Sequence, residues 1–111
     1  MDCIFCKIGN GEIPVELVHD GEKVAAFNDL APQAPTHILI IPKAHHANVG
    51  ELAIADPGVV GELFAVAARL ASERGLDGYR TVFNTGESAG QSVFHAPLHL
   101  MGGRTFTWPA G

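Results

Sequence analysis

Three short apolar patterns with very short connections open the chain and restrict the folds that it can adopt. VELVHD (15–20) and KVAAFND (23–29) predict two strands, and Asp20-Gly21 between them is typical of a hairpin turn. HILIIP (37–42) predicts a third strand, which should be buried because it is branched and apolar. Connections this short favour antiparallel pairing, since parallel strands need a long crossover.

One long helix should follow these strands. Asp56 suits the N-cap position, Pro57 suits the first helical position, and Gly75 is typical of a helix end. The apolar residues between them recur at helical spacing and predict one face packed on the sheet. They are Val60, Leu63, Phe64, Ala67, Leu70 and Ala71.

Two further strands complete the predicted fold. YRTVFN (79–84) predicts a fourth strand, a glycine-rich loop TGESAGQ (85–91) follows, and a fifth strand should begin near Ser92. Five strands with one long helix and early hairpins favour an α+β fold, in which the helix covers one face of an antiparallel sheet.

Composition and charge narrow the class of partner. The chain has 111 residues, enough for a single domain over residues 1–111, and it is 47% hydrophobic and 17% charged. Its net charge is −5 and its Lys and Arg residues are not clustered, so we expect no nucleic-acid and no membrane partner. The opening residues lack the basic and apolar regions of a signal peptide. We therefore expect a cytoplasmic protein with reduced cysteines.

The segment QSVFHAPLHLMGGR (91–104) contains two histidines on one predicted strand face. Alternation places His95, Pro97 and His99 together on that face. A solvated polar face would explain the two histidines, but such a face more often carries Thr, Lys or Glu. In addition, a glycine-rich loop directly precedes the strand that carries them. We favour a functional site. The opposite face should pack on the helix, and its members are Phe94, Ala96, Leu98 and Leu100.

Cys3-Ile-Phe-Cys6 forms a C-x₂-C pair. A disulfide is disfavoured in a reducing compartment, and no strand precedes Cys3 to make a thioredoxin-type site. A further alternative is that the two cysteines are small buried hydrophobic side chains without a chemical role. We favour a structural zinc, which needs four N or S ligands. Spacing does not select the histidine partners from the six available, which are His19, His37, His45, His46, His95 and His99.

Four blocks of sequence resemble the histidine triad (HIT) family, in particular its Hint branch of purine nucleoside phosphoramidases. They are NDLAPQAPTHILIIPKAH (28–45), GYRTVFNTG (78–86), GQSVFH (90–95) and GGRTFTWPAG (102–111). The resemblance implies a HIT-like fold and a homodimer in which two five-stranded sheets join.

The resemblance also implies a lost nucleophile. The family pattern His-φ-His-φ-His-φ-φ, with φ apolar, here reads His95-Ala96-Pro97-Leu98-His99-Leu100-Met101. In the family the middle histidine attacks the α-phosphorus to form a nucleotidyl-histidine, which water then hydrolyses. Proline has no side-chain nitrogen, and the flanking histidines lie about 6–7 Å away along a strand. We therefore expect absent or weak family hydrolase activity.

Other family positions are matched one by one. Asp29 matches the acidic residue that holds the ribose hydroxyls, and His37 and His99 match the outer imidazoles around the nucleophile. The apolar lining of the purine slot corresponds to Phe5, Ile8, Ile13, Phe27 and Leu30. The phosphate-side loop corresponds to Asn84, Gly90, Gln91 and Ser92. The resemblance also selects the ligands of one closed, structural zinc as Cys3, Cys6, His45 and His95.

Three functions are compatible with these residues. The first is a protein that binds a purine nucleotide or similar small molecule without family turnover. The second is a repurposed enzyme in which His37 and His99 perform acid–base chemistry on a different substrate. The third is a zinc-stabilised dimeric interaction protein. Retention of Asp29, Asn84 and Ser92 favours the first two.

Overall fold

The computed structural model describes residues 3–111, so residues 1 and 2 of the predicted single domain lie outside the described residues. Five antiparallel strands form one sheet in the order β1-β2-β3-β5-β4, which confirms the predicted α+β architecture. The strands are β1 (Leu17–Asp20), β2 (Val24–Asn28), β3 (Thr36–Pro42), β4 (Tyr79–Val82) and β5 (Leu98–Gly102). The helices are α1 (Ile4–Gly9), α2 (Val49–Ala55) and α3 (Pro57–Glu73).

The predicted long helix is α3, and it begins and ends for the predicted reasons. The Asp56 side chain accepts the Val59 N–H, and Pro57 occupies the first turn. Gly75, just beyond the end, has a φ of 66°, in the left-handed region that favours glycine. Burial of Leu63 and Leu70 fixes the face that packs on the sheet.

The central strand β3 is buried on both faces, and this divides the apolar interior into two clusters. Ile38 and Ile40 face α3, whereas Leu39 and Ile41 face the opposite side. The opposite side is covered by α1, which contributes Ile8 to the second cluster. A chain segment on each face of the sheet is therefore required to cover β3.

The last strand starts later than predicted. We expected it near Ser92, but β5 begins at Leu98, directly after Pro97. Proline has no N–H for the ladder, which explains a strand that starts only after it. Ala96, Leu98 and Leu100 are buried in the cluster under α3, as predicted, but Phe94 is 48% exposed and the expectation that it packs there is wrong.

Two helices were not predicted. Asn48 caps α2 by accepting the Glu51 N–H at 2.9 Å, an Asn-x-x-Glu pattern that could have indicated the helix start. By contrast α1 has six residues, and its N-cap residue Cys3 makes no side-chain capping bond within the described residues. Among residues 3–111, no helix is both long enough and apolar enough to cross a membrane.

Candidate functional site

Four side chains predicted as metal ligands converge at the start of α1. Cys3, Cys6, His45 and His95 each place one ligand atom within 4.8 Å of the others. Cys3 is the N-cap of α1 and Cys6 follows three residues later, so one helical turn presents both thiols to one side. His45 follows β3, and His95 precedes β5. Both cysteines are free thiols.

The backbone determines which nitrogen of His95 faces this cluster. His95 Nε2 lies 2.7 Å from the carbonyl oxygen of Pro42, to which it donates its proton. Because a neutral imidazole carries one N–H, Nδ1 is left with a lone pair, and Nδ1 faces the cysteines. Burial lowers the pKa of His95 below its usual value, which favours this neutral form. A metal-binding histidine typically has this arrangement.

The spacing of the donor atoms fits a tetrahedral zinc ion. Zn–S and Zn–N bonds of about 2.3 and 2.1 Å separate neighbouring ligand atoms by roughly 3.4–3.8 Å. Here His95 Nδ1 lies 3.4 Å from Cys3 Sγ, 3.7 Å from Cys6 Sγ and 3.2 Å from His45 Nδ1. Cys6 Sγ lies 3.3 Å from His45 Nδ1. The four residues can therefore hold one zinc with little rearrangement.

A cavity of about 300 Å³ lies on the face of the sheet that α1 covers. Such a volume accommodates a small molecule. One side of it is apolar and the other polar. The apolar side is lined by Ile4, Phe5, Ile8, Phe27, Leu30, Leu39, Val93 and Pro97. The polar side is lined by Asp29, Asn84, Gly90, Gln91, Ser92 and His99.

A chain of hydrogen bonds reaches this cavity through two imidazoles. The Gln33 backbone N–H donates to His37 Nδ1 at 3.0 Å, so the proton of neutral His37 lies on Nε2. His37 Nε2 lies 3.0 Å from His99 Nδ1 and 3.4 Å from Asp29 Oδ2. His99 Nδ1 therefore accepts, and His99 Nε2 carries the remaining N–H.

The protonation state of His99 follows from its burial and from this chain of hydrogen bonds. Burial, and then the nearby His37, lower the pKa of His99, so the ring is neutral near pH 7. His99 lines the cavity, and its free N–H is a donor suited to an oxygen atom of a ligand.

The side chain of Gln91 is buried, and both its oxygen and its nitrogen are hydrogen-bonded within the protein. Its Oε1 accepts the Gly86 N–H at 2.8 Å. Its Nε2 lies 2.6 Å from the carbonyl oxygen of Ala47 and 3.1 Å from that of His95. The Gly90 and Gln91 N–H groups are also used, since they donate to the carbonyls of Glu87 and Gly86. Within the described residues, these groups hold the loop together.

The structure brings most predicted nucleotide-site residues together, with two qualifications. Ile13 lies outside the cavity and packs beside the second apolar cluster. Leu30 is 93% exposed and lies at the cavity edge. Sequence reasoning missed Ile4, Leu39 and Val93, which line the cavity, and the Gln33 N–H. For Leu39 the alternation of β3 was an available signal.

The arrangement defines a small α+β domain with a cavity beside a cluster of cysteine and histidine side chains that can hold a metal ion. The HIT domain model matches residues 10–106. The chain is 51% identical to a 14 kDa zinc-binding protein of Zea mays, over 97% of this chain and 87% of that one. It is 43% identical to the purine nucleoside phosphoramidase of Escherichia coli, over 93% and 88%.

Solved structures agree with these sequence relatives. A HIT family hydrolase from Legionella pneumophila superposes with a TM-score of 0.94 at 46% identity, covering 99% of this chain and 100% of that one. The chain therefore belongs to the HIT family, and its relatives place it in the Hint-like branch.

Proposed function

We propose that this protein binds a purine nucleotide in the cavity and does not turn it over by the family reaction. The observation that carries the proposal is the division of one cavity of about 300 Å³ into an apolar side and a polar side. A nucleotide has the same division, because its base is flat and largely apolar while its ribose and phosphate are rich in oxygen. The relative from Escherichia coli is a purine nucleoside phosphoramidase, which supports this ligand class.

Each end of the cavity has a chemical use in this proposal. Phe5 and Phe27, with ring centres 5.9 Å apart, form an apolar wall against which a purine packs. Asp29 uses Oδ1 to accept the Ala31 N–H at 2.8 Å, and its carboxylate retains acceptor capacity for ribose hydroxyls. The donor on His99 and the side chains of Asn84 and Ser92 face the phosphate.

The absence of turnover rests on Pro97. This residue lines the cavity between His95 and His99, at the position that the HIT pattern gives to its nucleophile. Neither flanking histidine replaces that nucleophile in this proposal. His95 Nδ1 faces the thiols, and His99 Nδ1 accepts from His37. In-line attack on phosphorus tolerates displacements of only about 1 Å.

The proposal includes one zinc and a homodimer. Zinc bound by Cys3, Cys6, His45 and His95 supplies a closed cross-link and no open position for water. The zinc-binding relative from Zea mays supports that metal. Within residues 3–111, β4 lies at one end of the sheet with β5 as its neighbour, so its outer edge is available to the β4 of a second copy.

Calorimetric titration with AMP, run beside an adenosine phosphoramidase assay, tests this function. We expect saturable AMP binding, at least about tenfold weaker binding to Asp29→Ala, and no nucleotidyl adduct by intact mass. Glu16→Ala, which removes a carboxylate outside the cavity lining, should bind AMP as the wild type does. An adduct on His37 or His99 would contradict the proposal and support the repurposed enzyme.

The substitution Pro97→His tests the stated cause of inactivity. If the missing imidazole is the principal lesion, this variant should gain measurable phosphoramidase activity and a nucleotidyl adduct at residue 97. We expect partial recovery, because errors of about 1 Å in position slow attack severely. Pro97→Asn, which restores the backbone N–H without an imidazole, is the matched control and should stay inactive. A folded, zinc-containing Pro97→His protein with no activity would show that the cavity differs at further positions.

A further inference from the structure

The metal cluster and the cavity share one wall, the short helix α1. Cys3 and Cys6 belong to the metal cluster, whereas Ile4, Phe5 and Ile8 line the cavity. Phe5 contacts both sites, because its ring lies edge-on to the ring of His95 at 5.9 Å and also 5.9 Å from that of Phe27. The two sites are therefore adjacent through a single side chain.

A second connection runs through the loop on the polar side of the cavity. Gln91 donates to the carbonyl oxygen of His95, a metal-cluster residue, and accepts the Gly86 N–H. It also donates to the carbonyl oxygen of Ala47, two residues beyond His45 in the chain. Gly90 and Ser92 of the same loop line the cavity. Both walls of the cavity are thus bonded or packed against residues of the metal cluster.

Apart from the two cysteines, α1 is held by the packing of Ile8 and Phe5 on the second apolar cluster. A helix of six residues is far below the roughly 12–15 residues at which isolated helices become marginally stable. Within the described residues, its N-cap residue Cys3 makes no side-chain capping bond, and Ile4 is 48% exposed. Ile8 is the α1 side chain that is fully part of the apolar cluster. The position of Phe5 should therefore depend on the two cysteines.

We infer that zinc at the cysteine–histidine cluster controls the affinity of the cavity for its ligand. With zinc bound, α1 and the loop of Gln91 are held in the geometry described. Without zinc, α1 loosens, the Phe5 wall is lost, and the loop loses the fixed His95 carbonyl. By linkage, the ligand must strengthen zinc binding by the same factor that zinc strengthens ligand binding. The identity of the ligand rests on the proposed function, whereas the loosening of both walls does not.

Hydrogen exchange on the full chain, with zinc and after chelation, tests the structural part directly. We expect chelation to speed exchange of the α1 amides and of the Gly86 and Gln91 amides by a larger factor than exchange of the β3 amides, which follows the global stability. Unchanged exchange at Gly86 and Gln91 would overturn the inference. Equal acceleration throughout β3 would also overturn it, since zinc would then act on global stability alone.

Calorimetry with AMP tests the affinity part. We expect AMP to bind the zinc-loaded chain about tenfold more tightly than the zinc-free chain, and zinc, measured by competition with a chromophoric chelator, to bind about tenfold more tightly with AMP. Equal AMP affinities would overturn the inference and leave nucleotide binding intact. If AMP binds neither form, the proposed ligand is wrong, and the exchange experiment alone decides the inference.

The variant Phe5→Ala isolates the link without removing a metal ligand. We expect it to retain one zinc, and the ratio of AMP affinities with and without zinc to fall towards one. Phe64→Ala is the matched control, because Phe64 lies on α3, is 44% exposed, and packs against Phe83 at 6.0 Å. Its ratio should equal that of the wild type. A wild-type ratio in Phe5→Ala would show that Phe5 is not the link.

Discussion

Residues 3–111 contain two clusters of side chains that could hold a metal ion, and the backbone bonds differently to one histidine in each. In the cluster of Cys3, Cys6, His45 and His95, the outer nitrogen of His95 faces a backbone carbonyl. In the cluster of Asp29, His37 and His99, the outer nitrogen of His37 faces a backbone N–H. All ligand atoms within each cluster lie within 4.8 Å of one another, so spacing alone does not separate the two.

The difference determines whether each cluster is suited to hold a metal ion or a proton at its centre. A carbonyl accepts the only proton of His95, and the lone pair on Nδ1 is free to bind a metal. A backbone N–H keeps the Nδ1 of His37 unprotonated, so Nε2–H points between His99 and Asp29. That proton lies where a metal would have to bind. The first cluster is therefore suited to zinc, and the second to a hydrogen-bond chain.

Zinc content and thermal stability provide the largest expected effect. We expect one zinc per chain, bound at the first cluster, and none at the second. Chelation, or Cys3→Ser, should lower the free energy of unfolding by at least about 3 kcal/mol, because structural zinc contributes far more than this in isolated zinc fingers. The melting temperature should fall by roughly 10 °C or more. Metal analysis and thermal denaturation measure both.

Asp29→Asn is the matched control for this prediction, since it removes a potential ligand from the second cluster alone. It should retain one zinc per chain and its response to chelation. A second equivalent of zinc in the wild type that is lost in Asp29→Asn would contradict the distinction between the clusters.

Removal of the central imidazole of the second cluster should have an intermediate effect. His37 is buried, and His37→Leu leaves the Gln33 N–H and His99 Nδ1 without their partner. A buried polar group without its partner costs about 1–3 kcal/mol, so we expect destabilisation in that range with zinc content unchanged. Urea denaturation measures the loss.

His46→Leu makes the same substitution at a half-buried histidine outside both clusters. It should change stability by less than about 0.5 kcal/mol. Equal effects of the two substitutions would mean that the hydrogen-bond chain through His37 contributes nothing measurable.

The two clusters also differ in how far sequence could predict them. The C-x₂-C spacing indicated a metal, but His45 and His95 lie 39 and 89 residues from Cys6, so family resemblance was needed to select them. For the second cluster, resemblance paired His37 with His99. The Gln33 N–H that determines the tautomer of His37 is a backbone group. Every residue except proline carries such a group, so the residue types in the sequence do not predict it.

The same reasoning explains the successes and failures for the fold. Strand β3 and helix α3 were predicted because their apolar patterns are local and strong. Helix α1 was missed because its six residues, IFCKIG, are too few to show a clear helical period. Its position is determined by contacts with residues distant in sequence, among them His95 and Phe27. The element that lies between the cavity and the cysteine–histidine cluster was thus the one least visible in the sequence.

The smallest expected effect is the pH dependence that His99 contributes to stability. Burial, followed by the nearby His37, lowers the pKa of His99 in the folded chain below the usual value of 6.5. The unfolded chain therefore takes up a proton at His99 at a higher pH than the folded chain does. The free energy of unfolding should fall as the pH drops through 6.5 towards the folded pKa, by at most about 1.4 kcal/mol per pH unit. Above pH 7.5 this contribution is constant.

The variant His99→Asn isolates that contribution, because asparagine does not titrate. Zinc ligands also take up protons in acid, but that loss is common to both proteins and cancels in the difference between them, provided that both retain one zinc at each pH. Urea denaturation from pH 7.5 to 5.5 should show the wild type losing more stability than His99→Asn, with the divergence starting near pH 6.5. A constant difference across this range would mean that His99 takes up its proton equally readily in the folded and unfolded chains. The assignment of a neutral imidazole to His99 would then be wrong. The N–H donor that His99 is taken to present to the cavity would be wrong with it.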